Sequence, residues 1–218
     1  MLFKDRTAAG RFLAKELVEY ANRPDVLVLA LPRGGVPVAF EVAQALNVPL
    51  DVLVVRKLGV PGDRELAMGA IASGGVRILN ENIVSQSRIS DDAIAKITTQ
   101  EEQELARREH LYRGDRPFPD LHGRTVILID DGLATGATMW AAVLAVRQKY
   151  PREIVVAVPV GAPETFQKLA SKVETIVCTA TPNPFYSVGL WYENFPQTTD
   201  SEVHDLLAKA THNHQLNY

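Results

Sequence analysis

The sequence predicts an α/β domain built on a parallel, twisted sheet that is flanked by helices. Short runs of β-branched residues and leucine alternate with amphipathic segments along the 218 residues. The first such run, Asp25–Leu31, is continuously apolar and too short for a helix, which is typical of a parallel strand buried on both faces. Strands that alternate with helices indicate βαβ units. Ligands of such sheets bind at the carboxyl ends of the strands, so we look for the site there.

Composition and charge narrow the class of protein. Hydrophobic residues make up 46% of the chain and charged residues 22%, as in an ordinary globular domain. The formal net charge of −3 gives no basic footprint, so we expect neither nucleic acid nor an anionic membrane as a partner. No run approaches the roughly 18 apolar residues of a membrane span, and the N-terminus lacks the apolar core of a signal peptide. The single cysteine, Cys178, allows no internal disulfide, and we expect a cytoplasmic protein.

Apolar periodicity gives the order of the elements. The predicted elements are, in chain order, a helix over 7–21, a strand over 25–31, a helix over 38–46, a strand over 50–55, a helix over 90–112, a strand over 125–129, a helix over 136–149, a strand over 154–158, a helix over 163–171, a strand over 173–178 and a helix over 200–209. No repeat or linker divides the chain, so we predict a single domain over residues 1–218.

Two segments interrupt this alternation. Residues 57–80 are rich in glycine and charge and predict a flexible loop with a small hairpin, in which Ala67–Ile71 pairs with Val76–Leu79. Residues 90–113 predict a helical insertion that begins at Ser90, a typical N-cap residue. Its apolar stripe is narrow, which leaves two interpretations open: a solvated surface helix, or a face for a dimer or another partner.

The segment Val126–Thr138, VILIDDGLATGAT, carries the most chemistry. A strand ends in Asp130 and Asp131, and small and hydroxyl-bearing residues then open a helix. The first turn of a helix binds phosphate through its N–H groups, and Gly136 lets the backbone approach closely. The two carboxylates can accept hydrogen bonds from vicinal hydroxyls or help to hold a hydrated Mg²⁺. A ribose 5-phosphate presents both features. In the alternative interpretation, the two acids only cap the following helix.

This segment resembles the signature that binds 5-phosphoribosyl 1-pyrophosphate (PRPP) in type I phosphoribosyltransferases. The resemblance implies a Rossmann-like core, Mg²⁺ bound together with PRPP, and catalytic roles for Asp130 and Asp131. It assigns the 5-phosphate of PRPP to Ala134, Thr135, Gly136, Ala137 and Thr138. Gly132 departs from the aliphatic residue usual in the family. Ala134 stands where a common 6-oxopurine variant has a third Asp, so the loop is more similar to adenine or orotate enzymes.

Two further segments resemble the pyrophosphate side of the family's site. Leu31–Gly35 matches the position of the pyrophosphate loop, where members often have a cis peptide, here expected at Pro32–Arg33. Two glycines expose N–H groups to an anion and an arginine can fork onto phosphate oxygens. A basic pair ends the second strand, as in adenine-type members. The resemblance therefore implies pyrophosphate binding by Arg33, Gly34, Gly35, Arg56 and Lys57. An ordinary Gly–Gly turn and solvated charges are the alternatives.

The remaining family elements are a catalytic flexible loop and a hood. The resemblance places the loop at 57–80, with Arg64 and Glu65 as catalytic charges that close over the substrate. It places a hood for the acceptor base at residues 180–197, with Phe185, Tyr186 and Val188 as base contacts. A packed aromatic cluster is the alternative there.

The function implied is transfer of the 5-phosphoribosyl group of PRPP to an acceptor nitrogen, most simply that of a nucleobase, with release of pyrophosphate. The expected partners are PRPP, an acceptor base and a second copy of the chain in a homodimer. Two alternatives stay open at this stage. One is a PRPP-sensing regulator that has lost most catalysis, and the other is an accessory role on an unusual acceptor.

Overall fold

A computed structural model describes residues 2–216, without the side chains of Arg64, Glu65 and residues 214–216. In chain order the elements of this part are α1 (Arg6–Glu16), β1 (Val26–Ala30), α2 (Gly35–Leu46), β2 (Leu50–Val52), β3 (Val55–Val60), β4 (Asp63–Ala72), β5 (Val76–Leu79), α3 (Glu81–Gln86), α4 (Asp91–Arg113), β6 (Thr125–Ile129), α5 (Ala137–Arg147), β7 (Glu153–Val160), α6 (Pro163–Ala170), β8 (Thr175–Ala180) and α7 (Asp200–Leu216). Of the helices just named, none has the length and apolar composition that crossing a membrane requires.

Five strands form the parallel sheet that the sequence predicts, in the order β2-β1-β6-β7-β8. Strands β1 and β6 are buried at every residue, because helices cover both faces of the sheet. Val28 and Ile127 face the core shared with α1, α2 and α7, whereas Leu29 and Leu128 face the core shared with α5. This packing of helices on both faces holds the carboxyl ends of β1 and β6 side by side, with Ala30 paired to Ile129.

The segment 57–80 is mostly strand, so the prediction of a long loop is wrong for its backbone. Strands β3, β4 and β5 form a second, antiparallel sheet, hereafter the second sheet. The predicted hairpin is confirmed, with Gly69–Ala72 paired to Val76–Leu79. The pairing of β3 with β4 shifts register around Gly59, and the extra residues lie in β4, so β4 does not follow a regular strand alternation. Leu58 and Met68 are nonetheless fully buried, which anchors the second sheet to the core. Motion of this segment stays a prediction.

The predicted helix over 90–113 is confirmed as α4. The Ser90 side chain accepts a hydrogen bond from the Ala93 amide, as an N-cap does. At the other end, the buried Arg113 donates to Asp51 at 3.1 Å and to the Val52 carbonyl at 2.8 Å, which fastens α4 to β2. The inner face of α4 therefore packs on its own chain. On its outer face, Glu104 accepts hydrogen bonds from two arginines of the same helix, as a solvated surface helix would show.

Candidate functional site

Two loops meet at the carboxyl edge of the parallel sheet. Asp130 and Asp131, hereafter the acid pair, follow β6, and Pro32–Gly35, hereafter the pyrophosphate loop, follows β1. The Leu31 amide donates to the Ile129 carbonyl at 2.8 Å, so the parallel pairing continues up to the loops. The Pro32–Arg33 peptide bond is cis, as expected. The structure thus brings together two of the segments that the sequence assigned to one site.

The glycines of the pyrophosphate loop make this approach possible. A Cβ on Gly34 would clash with Oδ2 of Asp131, and a Cβ on Gly35 would lie 2.7 Å from the Ile129 carbonyl oxygen. Both contacts are closer than a real Cβ atom tolerates. Only glycine therefore allows the loop to lie against the acid pair. The Gly–Gly sequence therefore serves a close backbone approach as well as a turn.

Burial makes negative charge costly at the acid pair. It raises the pKa of Asp130 well above its usual range, and the neighbouring Asp131 charge raises it further. The Asp131 amide donates to Oδ1 of Asp130 at 2.8 Å, which partly offsets this effect. Burial also raises the pKa of Asp131, and the opposing influence is a hydrogen bond and positive charge from Arg6. Hydroxyl donors or a cation placed here would be bound favourably, because each stabilises the ionised carboxyls.

Arg6, at the start of α1, connects the acid pair to the hood (residues 180–197). Its Nε donates to Oδ2 of Asp131 at 2.8 Å and its Nη1 to the Pro196 carbonyl at 2.7 Å. Its guanidinium also lies 3.8 Å from the centre of the Phe195 ring. A second link comes from the Tyr192 hydroxyl, which donates to the Asp131 carbonyl at 2.6 Å. The hood is therefore attached to the acid pair by two side chains.

The phosphate loop, Ala134–Thr138, is more open than the pyrophosphate loop. Gly136 has a φ of 74° and is the N-cap of α5, so the interpretation that the acids cap this helix is wrong. The Thr165 hydroxyl, at the start of α6, donates to the Ala134 carbonyl at 2.6 Å, so this helix helps to hold the loop in place. A cavity of about 270 Å³ lies beside the loop, and Lys168 and Lys172 are among its lining residues. The first turn of α5 thus borders this open space, whose other lining residues include Trp140 and Leu169.

The basic residues assigned to pyrophosphate are separated in the structure. Arg33 belongs to the pyrophosphate loop and lies 3.9 Å from Asp200 at the start of α7. Arg56 lies on the second sheet and pairs with Glu101 of α4 at 2.6 Å. Lys57 lines two cavities, of about 440 Å³ with Arg56 and about 390 Å³ with Trp140. Of these three residues, Arg33 is the one whose loop packs against the acid pair.

The hood residues predicted to contact a base lie in different surroundings. Val188 covers Gly132, where a Cβ would lie 2.5 Å from Cγ1 of Val188. This contact explains the departure of Gly132 from the family pattern, since an aliphatic residue would not fit. Phe185 packs against the aromatic cluster of Phe3 and Tyr192, whereas Tyr186 is 79% exposed. The side chains of the two catalytic loop candidates, Arg64 and Glu65, lie outside the described residues.

Comparison with known proteins decides the family. A family model described as "Phosphoribosyl transferase domain" matches residues 3–185, well over half of the chain. The chain belongs to the type I phosphoribosyltransferase family. Two proteins of Mycobacterium tuberculosis, from strains CDC 1551 / Oshkosh and H37Rv and each named "Putative phosphoribosyl transferase", are 46% identical to it over 96% of this chain. The match covers 47% of their own length, so the chain spans about half the length of these curated relatives.

Solved structures agree with the fold. The crystal structure of TT1426 from Thermus thermophilus is 40% identical, has a TM-score of 0.84, and matches 96% of this chain and 99% of that one. The AQ2163 protein from Aquifex aeolicus is only 14% identical and has a TM-score of 0.52, over 93% of this chain and 84% of that one. The first similarity extends over the whole arrangement of two sheets and helices, and the second supports the fold alone.

Several residues that contact the candidate site lie outside its recognisable motifs. Arg6, Tyr192 and Thr165 contact the acid pair or the phosphate loop from segments distant in sequence. Asp200 and Glu101 pair with the predicted arginines in the same way. No local pattern marks them, because their positions depend on how α1, α4, α6, α7 and the hood pack. Burial raises the pKa of the Cys178 thiol to about 11, which disfavours the thiolate form that a nucleophile requires.

Proposed function

We propose that the chain transfers the 5-phosphoribosyl group of PRPP to a nitrogen of an acceptor base and releases pyrophosphate. The observation that carries the proposal is the acid pair, which lies between the phosphate loop and the pyrophosphate loop on adjacent strands. The two loops would bind the phosphates at the two ends of PRPP, and the acid pair would bind the ribose between them. Membership of the family favours the same assignment.

The chemistry of the acid pair fits Mg²⁺ brought in with PRPP. Mg²⁺ prefers oxygen ligands and usually keeps several waters while it binds one or two carboxylates and substrate phosphates. Asp130 and Asp131 offer such carboxylates in surroundings that raise their pKa values, so a nearby cation would favour their ionised forms. They would hold the hydrated ion next to the substrate. When bound, Mg²⁺ would neutralise charge on the departing pyrophosphate.

The reaction needs positioning and charge stabilisation more than covalent participation by the protein. The bond from ribose C1 to the pyrophosphate oxygen breaks, and its electron pair leaves with pyrophosphate. The acceptor nitrogen forms the new bond to C1 and loses its proton to solvent. Positive charge develops on the ribose during this exchange, and the acid pair would stabilise it. Arg33 would exchange Asp200 for the pyrophosphate, since a charged phosphate is the stronger partner for its guanidinium.

The hood and the second sheet would complete the site. Val188 lies over Gly132, next to the acid pair. A base attached to ribose C1 would lie beside it. Tyr186 offers an exposed ring for stacking, which suits a nucleobase acceptor. Arg56, Lys57 and the loop charges Arg64 and Glu65 would close over the pyrophosphate side and exclude water. Ala134 disfavours a 6-oxopurine, because the loop has no carboxylate at that position.

Calorimetric titration with PRPP and Mg²⁺ tests the central claim. We expect Asp131→Ala to lower PRPP affinity by roughly tenfold or more, the effect of losing charge-assisted hydrogen bonds to the ribose. Asp115→Ala is the control, because the Asp115 side chain is fully exposed after α4. Equal affinity of the parent and Asp131→Ala would contradict the proposal.

A panel of bases, assayed with PRPP for pyrophosphate release, tests the transfer step. Release with one base would identify the acceptor. Tight PRPP binding without release for any acceptor would instead support a PRPP-sensing protein.

A further inference from the structure

The N-terminal segment Phe3–Arg6 is bound to the hood along its backbone. The Phe3 amide donates to the Trp191 carbonyl at 2.8 Å, and the Glu193 amide donates back to the Phe3 carbonyl at 2.8 Å. The Asn194 amide adds a bond to the Lys4 carbonyl at 3.0 Å. Phe3 is 1% exposed, with its ring 5.7 Å from that of Tyr192. These backbone hydrogen bonds fix the segment that precedes Arg6, so the backbone of Arg6 is held beside the acid pair apart from its side-chain contacts.

Each part of the Arg6 side chain has a separate partner. Nε binds Asp131, Nη1 binds the Pro196 carbonyl, and the flat face of the guanidinium covers Phe195. The Arg6 side chain is 11% exposed and the Asp131 side chain 15%, so the pair is largely removed from water. A charged pair with this little solvent is worth more than a surface pair, and removal of one partner leaves a buried charge uncompensated.

We propose that Arg6 is a positioning residue for phosphoribosyl transfer, which fixes the Asp131 carboxylate for the ribose and couples the hood to the acid pair. The inference rests on the proposed function of the site. Arg6 binds Oδ2 of Asp131, the oxygen that also faces Gly34, which leaves Oδ1 to receive a ribose hydroxyl. The same guanidinium fixes the hood at residues 195 and 196, so the ribose site and the wall beside the acceptor base form together.

The charge of Arg6 supports this role. Its guanidinium and the Asp131 carboxylate form an ion pair that is largely removed from water. A neutral residue at position 6 would therefore leave the Asp131 carboxylate without its charged partner and free to rotate. Lysine would keep the charge, but it cannot bind Asp131 and the Pro196 carbonyl in the same planar geometry.

The experiment compares Arg6→Gln and Arg6→Lys with the parent, with Arg11→Gln as the control. Arg11 lies on the same helix, pairs with Glu41 and has a side chain that is 68% exposed. We expect Arg6→Gln to weaken binding of PRPP with Mg²⁺ roughly tenfold by calorimetry, which corresponds to one lost charge-assisted hydrogen bond. We expect Arg6→Lys to recover part of the affinity and Arg11→Gln to match the parent. Steady-state kinetics should show a higher KM for PRPP and a lower kcat in Arg6→Gln.

Hydrogen exchange in the absence of PRPP gives an independent measurement of the hood. The amides of Glu193 and Asn194 should exchange faster in Arg6→Gln than in the parent or Arg11→Gln, because the hood loses one of its two side-chain links to the acid pair. Unchanged exchange in Arg6→Gln would overturn the coupling of the hood. Equal or tighter PRPP binding by Arg6→Gln would overturn the positioning of Asp131, since Arg6 would then be dispensable or a competitor. A parent that binds no PRPP would overturn the proposed function itself.

Discussion

The two loops that meet at the acid pair are built on opposite principles. The pyrophosphate loop is crowded: Gly35 is buried, and a Cβ there would lie 2.7 Å from a backbone oxygen of β6 and 2.9 Å from the Asp130 Cα. The phosphate loop is open: Thr135, Ala137 and Thr138 are exposed, and the first turn of α5 meets a cavity. One loop is fixed by its contacts with the neighbouring strand, and the other is fixed mainly at Gly136 and by Thr165.

This difference separates two uses of glycine that look alike in a sequence. Gly35 is required for space, because backbone atoms of an adjacent strand occupy the volume of a side chain. Gly136 is required for conformation, because its φ of 74° lies in the left-handed region that other residues rarely adopt. A backbone contact cannot yield without moving a strand, whereas left-handed strain has a bounded cost of about 1–2 kcal/mol. Substitutions in the two loops should therefore differ in kind.

The largest expected effect is that of Gly35→Ala, measured against Gly136→Ala. Gly35→Ala should lower the free energy of unfolding by about 3 kcal/mol, or the Tm by roughly 10 °C, because the new methyl group pushes β1 and β6 apart. Gly136→Ala should cost about 1–2 kcal/mol through its left-handed φ. A smaller steric cost comes from the Thr165 methyl group, 2.5 Å from the new Cβ, whose displacement would also strain the hydrogen bond from the Thr165 hydroxyl to the Ala134 carbonyl. Thermal and denaturant unfolding of both variants measure this.

A further variant checks the cause assigned to the Gly136 effect. Thr165→Ser removes the methyl group in question and keeps the hydroxyl that binds the Ala134 carbonyl. In that background Gly136→Ala should retain only the conformational part of its cost, which comes from the positive φ. Equal destabilisation by Gly35→Ala and Gly136→Ala would remove the distinction between a crowded and an open loop.

The acid pair between the loops gives an effect of intermediate size that depends on pH. Folding raises the pKa of Asp130 through burial and the neighbouring Asp131 charge. At high pH a carboxyl with a raised folded pKa must ionise while buried, and this lowers the stability of the folded state. Below its unfolded pKa of about 4 the carboxyl imposes no such cost. Asp130→Asn keeps the Oδ1 acceptor for the Asp131 amide and removes the charge. It should raise stability at pH 7.5 by about 1–2 kcal/mol.

Unfolding of the parent and Asp130→Asn between pH 4 and pH 8 measures this dependence. The gain in stability should shrink as the pH falls and vanish near pH 4, where Asp130 is protonated in both states. A variant that is less stable than the parent at pH 7.5 would contradict a costly buried charge at this position.

How far the sequence predicts this molecule depends on the range of the interactions. The parallel sheet and β6 over Thr125–Ile129 were predictable, because apolar strands are local patterns. That the two loops belong to one site was implied by the family resemblance. The cis bond at Pro32–Arg33 was expected from resemblance, not from physics. The second sheet was not predictable beyond its hairpin, since the register shifts of its pairing with β3 place extra residues in β4 and break the alternation there.

The ion pairs made by the charged residues of the site could not be predicted from the sequence. Arg6, Asp200 and Glu101 each bind a predicted site residue, and each comes from a helix whose packing no local motif specifies. The candidate residues were therefore identified from motifs, but the charges that hold them in place required the tertiary structure. The homodimer and the cytoplasmic location stay predictions.

The smallest expected effect on stability is that of Thr135→Ala, and it separates binding from folding most cleanly. Thr135 is exposed, and its hydroxyl makes only a long contact of 3.5 Å with the Ala137 amide, so stability should change by less than about 0.5 kcal/mol. PRPP affinity should nevertheless fall roughly tenfold, because the hydroxyl would donate to the charged 5-phosphate. Thr99→Ala, at an exposed position of α4, should change neither quantity. In the crowded pyrophosphate loop, Gly35→Ala should lower stability and PRPP affinity together. A comparable loss of stability in Thr135→Ala would show that the phosphate loop is also held by packing.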